Sequence, residues 1–188
     1  TTSQSSSHPM SGQQVSQPGG LNETLDLAAV LKASRAISQS MHLDELLHKL
    51  TTMILQSSGG DRCAFILPDN QDQWQLQAIA TLESTTLCTE PLDNNPHLPN
   101  KLIQYVKNSG QVVTINRLET ELPIIDDYLQ QHQPQSVLCL PLLTQGALVG
   151  ILYLHNLCTS EVFTQNRLSI LSFLCTAAAT SLEKPTLY

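Results

Sequence analysis

The segment SVLCLPLLTQGALVGILYLHN, residues 136–156, limits the fold more than any other part of the chain. Two apolar arms, residues 136–143 and 147–155, are joined by Thr144-Gln145-Gly146. A three-residue connection ending in Gly fits a tight hairpin whose last position is left-handed. Pro141 has no N–H, so its arm needs a bulge or a free edge there. Gly150 marks a point where another backbone can come close. An uninterrupted run of about 18 apolar residues would suggest a membrane span. Here Pro141, Gln145-Gly146 and Gly150 divide the run, and no Lys or Arg flanks it. A hairpin buried in a sheet covered by helices has the same hydropathy, and the segment is read that way.

Residues 1–20 are Ser, Gln, Thr, Gly and Pro with almost nothing apolar. Such a composition does not offset the entropy of ordering the chain. They read as a disordered linker or vector-encoded residue, and 21–188 reads as one domain. The first residue is Thr1 and no signal peptide follows, as expected for a piece of a longer protein.

Residues 21–40 carry Leu27, Val30, Ser34 and Ile37 at spacings of three and four, continuing to Met41. This heptad seam fits a helix packed on its own sheet or one shared by two subunits. Residues 43–58 form a second helix, with Leu43, Leu46, Leu47, Leu50, Ile54 and Leu55 in one stripe and Gly59-Gly60 ending it. Strands are expected at 62–67, 74–80 and about 85–89. The middle one alternates Trp74, Leu76, Ala78 and Ala80 with glutamines, so one face is wet. A third helix runs over 98–108 and a strand over 111–115. Residues 116–134 are polar and acidic, with a short helix near 124–131. A closing helix spans 164–184, capped by Thr164, with Leu168, Leu171, Cys175, Ala178 and Leu182 in a second heptad seam. Helices at both ends and strands between them give an α+β domain with an antiparallel sheet. The terminal helices cover one face, and the third helix with the long loop covers the other.

The formal net charge is −7 and the pI is near 5.2. That opposes nucleic-acid binding, which needs a basic face, and adhesion to an anionic membrane surface. The five cysteines are an odd number and form no CxxC pair. Cys63, Cys139 and Cys175 sit in apolar segments, as small hydrophobes do. A reducing cytoplasm suits them better than a secreted disulfide framework. No Gly-rich phosphate loop, GxSxG elbow, HExxH or zinc-type Cys/His spacing occurs. His42 and His48 stand six apart, too far around a helix to share a metal. The reading is a non-catalytic binding or coupling module with no metal site.

The hairpin pattern Ser136-Val137-Leu138, Leu140-Pro141-Leu142, Gly146, Gly150-Ile151-Leu152 resembles the signature of GAF domains. Leu98-Pro99 with Leu102-Ile103 and Tyr105-Val106, Gln133-Pro134 with Ser136, and Phe163-Thr164 with Arg167-Leu168 resemble the same subfamily. So do Leu25-Asp26-Leu27-Ala28 and Ser181-Leu182-Glu183. That subfamily is familiar from large, often cyanobacterial, sensor kinases joining serine/threonine-kinase-like and histidine-kinase modules. The resemblance implies a central six-stranded antiparallel sheet and terminal helices that often pair with a second subunit.

The resemblance also implies a small-molecule pocket between the sheet and the third-helix-plus-loop layer. Tyr105, Tyr128, His132 and Cys139 would line it, with Asp126 or Asp127 at the rim. Each also has a plain reading: Tyr105 and Cys139 as core, Asp126-Asp127 as a solvated loop. Covalent bilin attachment in the family uses a Cys in the stretch matching 116–136, which here has none. The Asn-Lys-x-Phe-Asp motif of cyclic-nucleotide-binding relatives is absent after His155-Asn156. The expectation is therefore a cytoplasmic regulatory domain of a multi-domain kinase. It forms a homodimer through Leu27, Val30, Ser34, Ile37, Leu168, Leu171, Cys175, Ala178 and Leu182, and it couples a small ligand or an upstream domain to kinase output. A ligand-free scaffold is the alternative.

Overall fold

A computed structural model describes residues 42–182. The expected linker over 1–20, the helix over 21–40 with Leu27, Val30, Ser34 and Ile37, and residues 183–188 lie outside the described residues.

Helix α1 (Leu43–Ser58) leads into β1 (Arg62–Pro68), β2 (Trp74–Thr81) and β3 (Thr85–Pro91). Helix α2 (Asn100–Ser109), β4 (Val113–Asn116) and the short α3 (Asp127–His132) follow. Strands β5 (Ser136–Thr144) and β6 (Ala147–Asn156) form the hairpin, and α4 (Gln165–Leu182) closes the domain. The six strands form one sheet in the order β3-β2-β1-β6-β5-β4, with every pairing antiparallel. The expected antiparallel sheet between helical layers is the one observed, with α1 and α4 on one face; the place of the helix expected over 21–40 lies outside the described residues.

Both faces of the sheet are buried, which is why β5 and β6 read as unbroken apolar runs. Cys63, Phe65, Leu138, Leu140, Leu152 and Leu154 point to the α1/α4 side. Their strand neighbours Ala64, Ile66, Val137, Cys139, Ile151 and Tyr153 point to the side covered by α2, α3 and the long loop. The period of two thus builds two cores from one sheet.

Strand β2 departs from the simple alternation. Phe65 pairs with Ala78 but Ile66 pairs with Leu76, so Gln77 is an extra residue. This bulge reverses the inward face: Leu76 joins the α2/α3 core, whereas Ala78 and Ala80 join the α1/α4 core. The single wet face expected for β2 is corrected accordingly.

The hairpin turn is tighter than expected. Thr144 pairs with Ala147, so the loop is only Gln145-Gly146. Both have positive φ, 51° and 80°, the two left-handed positions of a type I′ turn. Strand β4 pairs only with Ser136–Cys139, so β5 is an edge on that side at Pro141, where a missing N–H is tolerated. A Cβ on Gly150 would lie 2.7 Å from Leu67 Cδ2 and 3.5 Å from the Ile66 carbonyl oxygen. Close approach there is what the sequence suggested.

Helix boundaries follow local chemistry. Helix α2 starts at Asn100, after Leu98-Pro99, because the residue before a proline is held out of helical geometry. Helix α3 starts at Asp127, since Asp126 Oδ1 accepts from the Leu129 amide at 3.1 Å and caps it. Thr164 caps α4 as expected, its hydroxyl accepting from the Arg167 amide at 3.4 Å.

Candidate functional site

The α2/α3 core ends in a polar cluster at one end of the sheet. Arg62 opens β1, directly opposite His155 on β6 and Thr81 on β2. Tyr153 precedes His155 by two residues and so shares its face. Tyr128 and His132 stand four apart on α3 and face the same way.

Their rings form a continuous series. His132 meets Tyr128 with centroids 4.2 Å apart, Tyr128 meets Tyr153 at 6.3 Å, and Tyr153 meets His155 at 5.6 Å, each edge-on. The Tyr153 hydroxyl lies 2.8 Å from His155 Nδ1. His155 Nε2 faces Asp61 Oδ1 at 3.6 Å. The carboxylate favours the proton on Nε2, so Nδ1 accepts from the phenol.

His155 is 3% exposed. Burial, then the charges of Arg62 and His132, lower its pKa to about 3. The imidazole is neutral at pH 7, so its contact with Asp61 is not an ion pair. Asp61 is held independently, since Oδ2 accepts from the Leu157 amide at 2.9 Å. Burial raises the Tyr128 phenol and carries Tyr153 well above the ordinary tyrosine range, so both keep their protons.

A cleft of about 410 Å³ opens at this cluster, lined by Asp61, Arg62, Thr81, His132, His155 and Leu157. Arg62 Nη2 donates to the His97 carbonyl at 3.2 Å, which fixes its head group. Two buried polar atoms of the cluster, Arg62 Nε and Tyr128 Oη, have no hydrogen-bond partner among the described residues. A larger cleft of about 480 Å³ opens elsewhere, between Leu43, Leu67, Leu148, Val149 and Leu182 among others. No histidine or arginine lines it, and its one carboxylate, Asp69, accepts from the Gln71 and Gln73 amides. The smaller cleft, which adjoins Arg62 and the ring series, is the better candidate.

Of the residues named from sequence, His132 lines the smaller cleft, and the Tyr128 ring packs on the His132 ring. Cys139 lies opposite Tyr153, fully buried behind the cluster. Asp126 is the α3 cap, and Asp127 is exposed in its first turn. Tyr105 is half-buried on α2 against the same core, and it does not line the cleft. The sequence reading missed Arg62, Tyr153, His155 and Asp61. The spacing of Tyr153 and His155 was a visible signal, two polar-tipped rings on one face of an otherwise apolar strand.

The buried cysteines Cys63, Cys139 and Cys175 offer no nucleophile. Burial pushes the Cys63 and Cys175 thiols up to about 12 and carries Cys139 higher still. Among the described residues, no three His, Cys, Asp or Glu side chains come together as metal ligands would. No helix among them is long and apolar enough to cross a membrane.

The second heptad seam turns inward. Leu171, Cys175 and Ala178 are buried against the chain's own sheet, and Leu168 and Leu182 pack beside them. Leu171, Cys175 and Ala178 thus pack on the chain's own α1 and sheet, and Leu168 and Leu182 are only partly covered. The outward face of α4 carries Ser169, Ser172, Thr176 and the half-exposed Phe173.

Comparison with known proteins agrees with this architecture. The chain is 26% identical over 173 residues to histidine protein kinase 1 of Candida albicans, across 87% of this chain and 7% of the relative. It is 23% identical over 185 residues to the peroxide stress-activated histidine kinase mak3 of Schizosaccharomyces pombe, across 93% of this chain and 8% of the relative. Both relatives are fungal, whereas the resemblance had suggested a cyanobacterial setting. The chain thus spans less than a tenth of either relative. Among solved structures, the GAF domain of an Acinetobacter phosphoenolpyruvate-protein phosphotransferase superposes with a TM-score of 0.64 at 20% identity, covering 84% of this chain and 92% of that one. The GAF domain family model matches residues 42–182. With six antiparallel strands in this order between helical layers, and that match across the whole described region, the chain belongs to the GAF domain family.

Proposed function

We propose that this chain is the sensory domain of a larger cytoplasmic histidine kinase, and that a small molecule in the Arg62–His132–His155 cleft sets the kinase output. The observation that carries this reading is the polar cluster itself. It places an arginine, two histidines and two buried tyrosines at one end of an apolar core, with two polar atoms unpartnered among the described residues. Buried polar groups are normally satisfied, and exceptions concentrate where function needs them. The kinase relatives, matched over most of this chain, supply the context. The domain itself is the input to the reaction, not its catalyst.

The route from cleft to closing helix is short. After His155, Asn156 Oδ1 accepts from the Cys158 and Thr159 amides, and its Nδ2 donates to the Gly59 carbonyl. Ser136 Oγ donates to the Thr159 carbonyl and accepts from the Val162 amide. This bonded connection joins the His155 end of β6 to the start of α4. A shift of His155 or α3 on ligand binding would therefore be carried into α4.

Autophosphorylation of the full-length parent kinase, with and without a small-molecule extract of its host, tests the reading. Arg62→Gln is expected to leave output insensitive to the extract. A variant that responds as the wild type does would count against it.

A homodimer is the second element of the proposal, favoured by Phe173, which is 48% exposed on the outward face of α4. On this structure the partner would meet that face and not the buried seam.

A further inference from the structure

We propose that residues 157–163 form a strained strap between the cleft and α4, with Asn116 as the latch that holds it and Glu161 as the pivot on which it turns. The strap stands on bonded geometry alone; its use in signalling rests on the reading of the cleft as the sensory site.

Side chains hold the strap where a strand would be held by a backbone ladder. The Leu157 amide donates to Asp61 Oδ2, and the Cys158 and Thr159 amides donate to Asn156 Oδ1. The Glu161 amide donates to Asn116 Oδ1 at 3.0 Å, and the Val162 amide donates to Ser136 Oγ at 3.2 Å. Ser160 Oγ accepts from Arg117 Nη2 at 3.3 Å. Anchors from just before β1, the end of β4, the start of β5 and the end of β6 thus converge on one short segment. Such a hold can be undone one bond at a time without breaking a strand pairing.

Glu161 has φ of 58°. Glutamate seldom adopts left-handed geometry, and a residue so placed persists only where its surroundings force it. The forcing groups flank it: Arg117 on Ser160, Asn116 on the Glu161 amide, and Ser136 on the Val162 amide. The latch side is strained too, since Arg117 and Leu118, which follow Asn116, each have φ of 55°. Left-handed residues on both sides of the Asn116–Glu161 hydrogen bond give the joint a second position, reached when Glu161 relaxes to negative φ.

The ends of the strap set its reach. Leu157 lines the cleft. Val162 and Phe163 are buried in the α1/α4 core, and the Val162 carbonyl accepts from Arg167 Nη1, within α4, at 2.8 Å. Turning the backbone at Glu161 therefore moves the wall of the cleft relative to the first turn of α4. Asn116 also opens the long loop that runs to α3, so the latch ties the layer carrying Tyr128 and His132 to the same helix.

The test is hydrogen–deuterium exchange of the 188-residue chain, followed by NMR without any ligand. Asn116→Ala should speed exchange at the Leu157, Glu161 and Val162 amides together, by about tenfold or more. Asn116→Asp keeps the acceptor and should stay close to wild type. Adding Glu161→Gly to Asn116→Ala should restore most of the protection, because glycine stays left-handed without being forced. Glu161→Gly alone should melt higher than Glu161→Ala, and that comparison decides on the strain even if Asn116→Ala does not fold.

Four results would overturn the inference: exchange unchanged by Asn116→Ala, a change confined to Glu161, no rescue by glycine, or equal melting of the two Glu161 variants. If the latch behaves as expected while no host metabolite binds, the joint stands and the sensory cleft falls. The reverse pattern removes the joint and leaves the cleft.

Discussion

The Tyr153 hydroxyl and His155 Nδ1 lie 2.8 Å apart on the buried face of β6. This contact holds a neutral imidazole in a site that burial, Arg62 and His132 all make hostile to a proton. The folded pKa of about 3 is below the ordinary 6.5. The unfolded chain therefore takes up a proton between those values that the folded chain refuses. Stability rises with pH across that window and falls on acidification. His155→Gln should flatten the acid limb of the stability curve by up to about 1.4 kcal/mol per pH unit below 6.5. Urea unfolding of both proteins from pH 7 to 5 measures this. Parallel curves would refute it.

Gly59 and Gly110 both end helices in left-handed geometry, with φ of 82° and 67°. Only Gly59 is crowded. A Cβ there would lie 2.5 Å from Val162 Cγ1 and 2.5 Å from Arg167 Nη1, whereas one on Gly110 would meet nothing within 4 Å. Gly110→Ala should cost about 1 kcal/mol, the backbone term alone. Gly59→Ala should cost about 2 kcal/mol or more, because it also forces α1 away from the start of α4. Equal losses in the two variants would mean that this packing is not tight.

Gln145 occupies the first left-handed position of the hairpin turn, with φ of 51°. Asparagine tolerates that geometry better than glutamine does. Gln145→Asn should stabilise the chain by about 0.5 kcal/mol, and Gly146→Ala should destabilise it by about 1 kcal/mol. Thermal unfolding of the two variants checks both signs.

Legibility varied with the range of the interactions involved. The β5–β6 hairpin could be read because Pro141, Gly146 and Gly150 are local signals. The α+β layering could be read because both strand arms are apolar on both faces. The β2 bulge could not, since Gln77 becomes an extra residue only through its pairing with β1. The polar cluster was half visible. Tyr128 and His132 announce each other by their spacing of four. Arg62 and His155 stand 93 positions apart and meet only through the β1–β6 register. The seam of α4 did not by itself tell a sheet from a partner helix, because one period of three and four serves both equally well.

Two α4 residues separate the intramolecular from the intermolecular role of that helix. Leu171 is fully buried, and Leu171→Ala should cost about 2–5 kcal/mol. Phe173 is 48% exposed, and Phe173→Glu should remove the concentration dependence of the melting temperature while lowering the sedimentation coefficient toward that of a monomer. Sedimentation velocity on the two proteins distinguishes these effects. A wild type that stays monomeric at high concentration would remove the dimer from the proposal.

The claim on which the rest depends is that the Arg62–Tyr128–His132–His155 end of the sheet holds a small molecule. Native mass spectrometry of the chain purified from its own host tests it most directly. The expected result is a bound small mass on the wild type that is lost in Arg62→Gln. A wild type found only at the mass of the bare chain, with a melting temperature unmoved across a panel of metabolites, would contradict it.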